Sequence, residues 1–190
     1  IVFTTVSLIL IFFSALWFKH NQNQNRFKME SLFFKLEQVK ASRIEDSIDK
    51  IKQMEALLEK FNKSPQKQRA LLLLADEYFN EGRYDKAINL YQNILKESSS
   101  SLNQQLANIG IAYSHEGKKD YKNAINAYKT VIHFPNNEYP LFDIYTSIVR
   151  CYELNNQKNE AILTLREMQS KFSNNPKINE IDIKIKNIDI

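Results

Sequence analysis

Three glycines in a chain of 190 residues amount to about 1.6%, against a typical usage near 7%. That scarcity argues against a dinucleotide-binding fingerprint, a P-loop or a bulge-rich β-barrel. Each of these needs glycine where φ is positive or where backbone must approach a phosphate. A single cysteine, Cys151, excludes an intrachain disulfide framework and any cysteine-rich zinc site. The three histidines, His20, His115 and His133, are too scattered to build a metal cluster. No nucleophile–base pairing and no unusual pair of carboxylates stands out, so the expectation is a non-enzymatic protein without cofactor or metal. The formal net charge of +4 is spread along the chain and forms no basic stripe, so no nucleic acid is expected as a partner.

Charge is also missing from one end. No Lys, Arg, Asp or Glu occurs before Lys19, which leaves an apolar run from Ile1 to Phe18. A bilayer core about 30 Å thick asks for about 20 helical residues, with a range near 17–25. Trp17 and Phe18 beside Lys19 and His20 have the composition of an interfacial belt. A secretory leader's apolar region spans only about 7–15 residues and ends in a small-residue cleavage triplet. Phe13-Ser14-Ala15 is a poor one, so residues 1–18 read as an uncleaved transmembrane anchor. Only one flank is visible and residue 1 is not Met, so the positive-inside rule leaves the orientation open.

Asn21-Gln22-Asn23-Gln24-Asn25 reads as a polar spacer or frayed helix start. Residues 19–65 as a whole form a spacer and helical lead-in. Within it Phe33, Leu36, Val39, Ile44, Ile48, Ile51, Met54, Leu58 and Phe61 make one apolar stripe, interrupted near Ala41-Ser42-Arg43. Asn62-Lys63-Ser64-Pro65 closes the segment, because proline suits the first turn of the next helix.

Residues 66–176 repeat. Leu74-Ala75-x-x-Tyr78-x-x-x-Gly82-x-Tyr84-x-x-Ala87-x-x-x-Tyr91 is followed by Ile109-Gly110-x-x-Tyr113-x-x-x-Gly117, then Tyr121-x-x-Ala124-x-x-x-Tyr128. A degenerate third copy runs Ile148-Val149-x-x-Tyr152-x-x-x-Asn156-x-Lys158-x-x-Ala161-x-x-x-Leu165. From Ala87 to Ala124, and again from Ala124 to Ala161, is 37 residues, a period that marks stacked helical pairs. Gly82, Gly117 and Asn156 are expected to supply left-handed turns, and Tyr91 and Tyr128 to fill the gaps between units. In this alignment the second repeat carries two extra residues near Lys118-Lys119-Asp120. All four prolines, Pro65, Pro135, Pro140 and Pro176, fall between units, as helix physics requires. The tail, residues 177–190, alternates like a strand at Ile181, Ile183 and Ile185, yet also carries a helical rhythm. A capping helix over the exposed apolar end of the stack is the favoured reading.

These residues resemble the tetratricopeptide repeat, with Leu-Gly/Ala-x-x-Tyr in a first helix and Ala-x-x-x-Phe/Tyr in a second. The resemblance implies an all-α fold: a transmembrane helix, then a tetratricopeptide-like solenoid of about three helix–turn–helix repeats, then a cap. Such a scaffold binds protein partners along the face of its first helices. The candidate partner-binding positions are Arg69, Leu72, Asp76 and Phe79; Gln104, Ala107, Ile111 and His115; and Asp143, Thr146, Arg150 and Glu153. Relatives that grip a chain's terminal carboxylate use Lys and Asn at two positions occupied here by Leu72 and Asp76, so that activity is not expected.

The order of parts is similar to that of the YfgM-like family of bacterial inner-membrane proteins, ancillary subunits of the SecYEG translocon. That likeness implies a single-pass inner-membrane protein whose repeat domain faces the periplasm. Its partners would be translocon subunits, periplasmic chaperones or client polypeptides. The alternative is a structural scaffold subunit of an envelope or secretion assembly.

Overall fold

Helix follows helix, cut where the sequence places proline or a short polar run. The computed structural model describes residues 2–42, 46–134 and 139–188, with side chains from residue 10 onward. In chain order the elements are α1 (Val2–Ala41), α2 (Ser47–Leu58), α3 (Pro65–Asn80), α4 (Tyr84–Glu97), α5 (Ser101–Gly117), α6 (Tyr121–Ile132), α7 (Leu141–Leu154), α8 (Lys158–Lys171) and α9 (Ile178–Ile188). Among the described residues there is no strand. The chain divides inside α3 into two units, Ile1–Ala70 and Leu71–Ile190.

In the first unit, α1 runs for 40 residues. The Asn/Gln stretch at 21–25 is therefore helix and not a spacer. Neither glycine nor proline occurs before Pro65, and Asn and Gln lower helix propensity without breaking a helix. The transmembrane expectation does not carry over to the described chain: among the described residues, no helix is long and apolar enough to cross a membrane. The described apolar part, Leu10–Phe18, rises only about 14 Å at 1.5 Å per residue, against a core of about 30 Å. Residues 1–9 of the expected span lie outside the described side chains. All the large apolar residues from Leu10 to Phe18 are exposed, Trp17 at 69%. Met29, Phe33 and Leu36 of α1 are buried, as are Ile51 and Met54 of α2, which packs against α1.

Asp46 caps α2 by accepting from the Ile48 amide at 2.8 Å, the expected device for an orphaned N–H at a helix start. Ile48, expected on the apolar stripe, is exposed. The new helix begins at Ser47, so the phase of α1 is not inherited, and Ile48 lies in the first turn. Arg43 and Ile44 lie outside the described residues. Pro65 opens α3, and Ser64 Oγ accepts from the Lys67 amide at 3.2 Å. Gln66 donates to Glu30 at 2.8 Å.

The second unit is a stack of antiparallel helices in which each element packs on its chain neighbour from α4 to α9. Three turns set its register. Arg83, Asp120 and Gln157 donate backbone N–H to Tyr78, His115 and Tyr152 carbonyls at 2.8, 2.8 and 2.9 Å. These are Schellman closures, each with one left-handed residue: Gly82 at φ 69°, Lys119 at φ 61° and Asn156 at φ 57°. Those three residues are themselves 37 apart. The expected two-residue insertion in the second repeat is thus absent, and Lys119 makes the turn assigned to Gly117.

Gly117 is small for a different reason. A Cβ there would stand 2.4 Å from the Tyr84 ring. With the register corrected, Ile111-Ala112-x-x-His115 aligns with Leu74-Ala75-x-x-Tyr78 and Ile148-Val149-x-x-Tyr152. Leu74, Ile111 and Ile148 are all core residues, as are Ala75, Ala112 and Val149.

The same step runs further than the three copies. Phe33, Ala70, Ala107, Ile144 and Ile181 are each 37 residues apart and each buried; so are Met54, Tyr91, Tyr128 and Leu165. The α1–α2 pair is therefore in phase with the later repeats. The Ile-rich tail is helical: α9 packs against α8 with Ile181 buried. Pro140 and Pro176 precede α7 and α9; Pro135 lies outside the described residues.

Candidate functional site

The second helices carry the side chains that join one pair to the next. Tyr91 of α4 is buried, and its hydroxyl donates to Asp76 of α3 at 2.6 Å. Its ring fills the place where α5 has Gly110: an added Cβ would meet it at 2.3 Å. One period on, Tyr128 donates to Glu116 at 2.5 Å and also hydrogen-bonds Ser147, the counterpart of Gly110. Burial, reinforced by the neighbouring carboxylates Asp76 and Glu116, pushes both phenols well above the ordinary tyrosine range, so both stay protonated donors.

On the exposed side of the first helices, one position per repeat reaches to the next repeat. Phe79 meets Tyr113 with ring centroids 6.5 Å apart. A period later, Glu116 accepts from Arg150 Nε and Nη2 at 3.0 and 2.8 Å. Another period on, Glu153 pairs with Lys184 of α9 at 3.0 Å. The forked Arg150–Glu116 contact, with Glu116 shielded by its neighbours, is the geometry in which an ion pair is strongest, and the hydrogen bonds to Glu116 raise the Arg150 pKa. Tyr113, 37% exposed, packs edge-on against Tyr128 at 5.8 Å and hydrogen-bonds Tyr139, from the segment ahead of α7. Burial comes first among the influences that raise its pKa.

The expected site residues fall into three groups. Leu72, Asp76, Phe79, Thr146, Arg150 and Glu153 lie on the first-helix side of the second unit, partly or fully exposed. Asp143 is also exposed there. Thr146 Oγ1 donates to the Phe142 carbonyl at 2.9 Å. Arg69 belongs to the first unit, where its guanidinium lies 4.0 Å over the Phe33 ring and 4.0 Å from Glu30.

The second repeat needs correction, because the two-residue slip displaced its whole set. Ile111 is only 9% exposed and Ala107 is fully buried, so both are core. Gln104 Nε2 donates to the Ser98 carbonyl at 2.7 Å, closing the α4–α5 link. His115 Nδ1 sits 3.1 Å from Asp120 at the turn; hydrogen bonds from Asn123 hold the Asp120 carboxyl below its usual range. The residues that share the face with Asp76 and Phe79 are Tyr113 and Glu116. An unbroken 37-residue step would have found them.

Among the described residues, no group of three or more His, Cys, Asp or Glu could hold a metal ion. Cys151 is buried, and burial pushes its thiol up to about 12.

Residues 1–135 match the family model of the tetratricopeptide repeat-like domain. The chain belongs to that family. The match starts ahead of the three recognised copies, in accord with an α1–α2 pair in phase with them. Solved structures agree on the fold. The nearly identical tetratricopeptide-like repeats of a Podosopora anserina protein assigned as a kinesin light chain are 14% identical, with TM-score 0.62 and 85% of each chain covered. A single-substitution variant of those repeats gives TM-score 0.60 at 14% identity, covering 85% of this chain and 84% of the other. No curated protein matches the chain. Tetratricopeptide-like domains generally bind protein partners, and the fold is that of a protein–protein interaction module.

Proposed function

We propose that this tetratricopeptide repeat-like protein is a non-enzymatic, membrane-tethered adaptor that takes an extended or helical partner segment along the first-helix side of its second unit. The observation that carries the reading is the row Phe79–Tyr113 followed by Arg150–Glu116. It offers an aromatic strip and then a fixed guanidinium, both accessible, on a rigid scaffold. Aromatic residues and arginine are the side chains over-represented among binding hot spots, and peptide grooves on helical scaffolds use the same chemistry.

The exposed Leu10–Phe18 end of α1 is the tether, with the apolar residues that precede it completing a span. The partner class follows from the likeness in part order to the translocon-associated inner-membrane family. The repeat domain faces the periplasm, and its partners are translocon subunits, periplasmic chaperones or exported clients.

Photo-crosslinking in cells tests this, with the crosslinker placed at Phe79, Tyr113 or Thr146 of the full chain and at Asn126 on a second helix as control. Adducts with translocon or chaperone chains from the first three sites, weakened by Arg150→Glu, are the expected result. Adducts no different from the Asn126 control would sink it. A single stoichiometric scaffold partner would favour an assembly subunit instead.

A further inference from the structure

At the α7–α8 end of the stack, α9 packs against α8 and places Ile181 in the core. α9 is in phase with the first helices: Ile181 falls one period after Ile144, and Lys184 one period after Ser147. It differs from α7 at two positions. The positions that in α7 hold buried Tyr145 and Val149 are Asp182 and Lys186 in α9.

That helix packs on the core cluster through Ile178, Ile181, Ile185 and Ile188, and its polar latches are weak. Ile181 alone is fully buried; Ile178, Ile185 and Ile188 are partly exposed, and Ile183 is exposed. The polar latches are Lys184–Glu153 at 3.0 Å, with both side chains at least 30% exposed, and a hydrogen bond from Gln169 to Asp182. Exposed pairs of this kind hold weakly. Beside Ile181 remains a cavity of about 140 Å³ bounded by Phe142, Thr146, Val149, Leu165 and Met168. That is room for a ring-sized side chain, since a cavity of about 150 Å³ takes benzene.

We infer that the α7–α8 groove is a helix-binding site whose resident occupant, α9, gives way to a partner's amphipathic helix that carries a bulkier apolar residue at the Ile181 place and a Lys or Arg three residues on, facing Glu153. The cavity specifies the larger side chain, and Glu153, with exposed Asp143 at the cavity rim, specifies the cation. The groove borders the Phe79–Arg150 face through Thr146 and Glu153, and the peptide titration reads α9 exchange alone, so it stands or falls whether or not crosslinks form from Phe79 and Tyr113.

The probe is a fluorescent peptide of residues 176–190 carrying Ile181→Phe, titrated by anisotropy into the full chain and into the full chain with Lys184→Glu, which places like charges at Glu153 and loosens α9. Tighter binding to the variant by about tenfold is expected, the size of one lost pair plus one repulsion. A peptide that also carries Lys184→Glu should lose binding. Binding to neither chain, or equally to both, overturns the inference. Should Lys184→Glu fail to melt cooperatively, hydrogen exchange of the unmodified chain decides. α9 amides exchanging at least about tenfold faster than those of α7 support an exchangeable helix, and equal protection overturns it.

Discussion

Two successive junctions in the second unit use the same positions and different chemistry. Between the first and second repeats, Phe79 meets Tyr113, and Tyr91 presses on Gly110. Between the second and third, Glu116 meets Arg150, and Tyr128 hydrogen-bonds Ser147. One junction is apolar and tight at these positions, with no room for a methyl group at Gly110. The other is polar, with a hydroxyl where the first has nothing. A repeat fold demands equal geometry at equal positions, and the comparison shows that it does not demand equal chemistry. At the compared positions the first junction is held by packing, which salt leaves alone, its Lys118–Asp85 pair at 2.5 Å lying at the exposed edge; the second depends there on charge, which salt screens.

The largest test of this contrast removes what the junctions share. Tyr128→Ala empties a fully buried position and should cost about 3–5 kcal/mol in denaturant unfolding. An equal loss from Tyr91→Ala would show the two tyrosines to be equivalent anchors. Gly110→Ala should cost about 1–3 kcal/mol by overpacking the Tyr91 ring, whereas Ser147→Ala, its counterpart, should cost about 1 kcal/mol or less. Equal costs would erase the distinction between the junctions. Arg150→Met should cost about 1 kcal/mol at low salt, because the pair is partly exposed, and the penalty should shrink in molar salt. Phe79→Leu should show no such salt dependence.

Lys119→Gly relieves a left-handed lysine and should stabilise by about 0.5–1 kcal/mol, where Gly82→Ala should destabilise. Near neutral pH the smallest effect belongs to Cys151. Its thiol is raised to about 12 in the folded chain from 9.0, so the charged form is disfavoured by folding. Its contribution to stability is complete below pH 9 and fades as pH climbs toward 12. A thiol reagent at pH 8 should modify it slowly in the native protein and at an ordinary rate in urea.

The period, the helical pairs and the role of Tyr91 and Tyr128 were legible in the sequence, because alanine and tyrosine recur where close packing needs one small and one large partner. The second repeat misled for a physical reason. Gly117 is the obvious turn residue, yet it answers to the Tyr84 ring, while lysine occupies the left-handed position. Aligning on glycine shifted the first helix by two residues and put Ile111 on the surface in place of Tyr113 and Glu116. The α1–α2 pair was hidden because Met54 stands where the next two repeats have tyrosine, and Lys50 where all three have alanine. Burial reveals an equivalence that residue identity obscures. The Arg150–Glu116 fork could not be read at all, since it joins residues 34 apart in the chain.

The unbroken path of α1 makes a ruler of what looked like a leash. From Phe18 to Met29, the first buried side chain of the hairpin, is about 16 Å of straight helix, and each residue along it also fixes an angle. Inserting a single residue among Asn21–Asn25 would swing Met29, Phe33 and Leu36 by about 100° around the axis relative to Trp17, while four residues would nearly restore the phase. Height above the apolar end and compass bearing are thus set together by one count of residues.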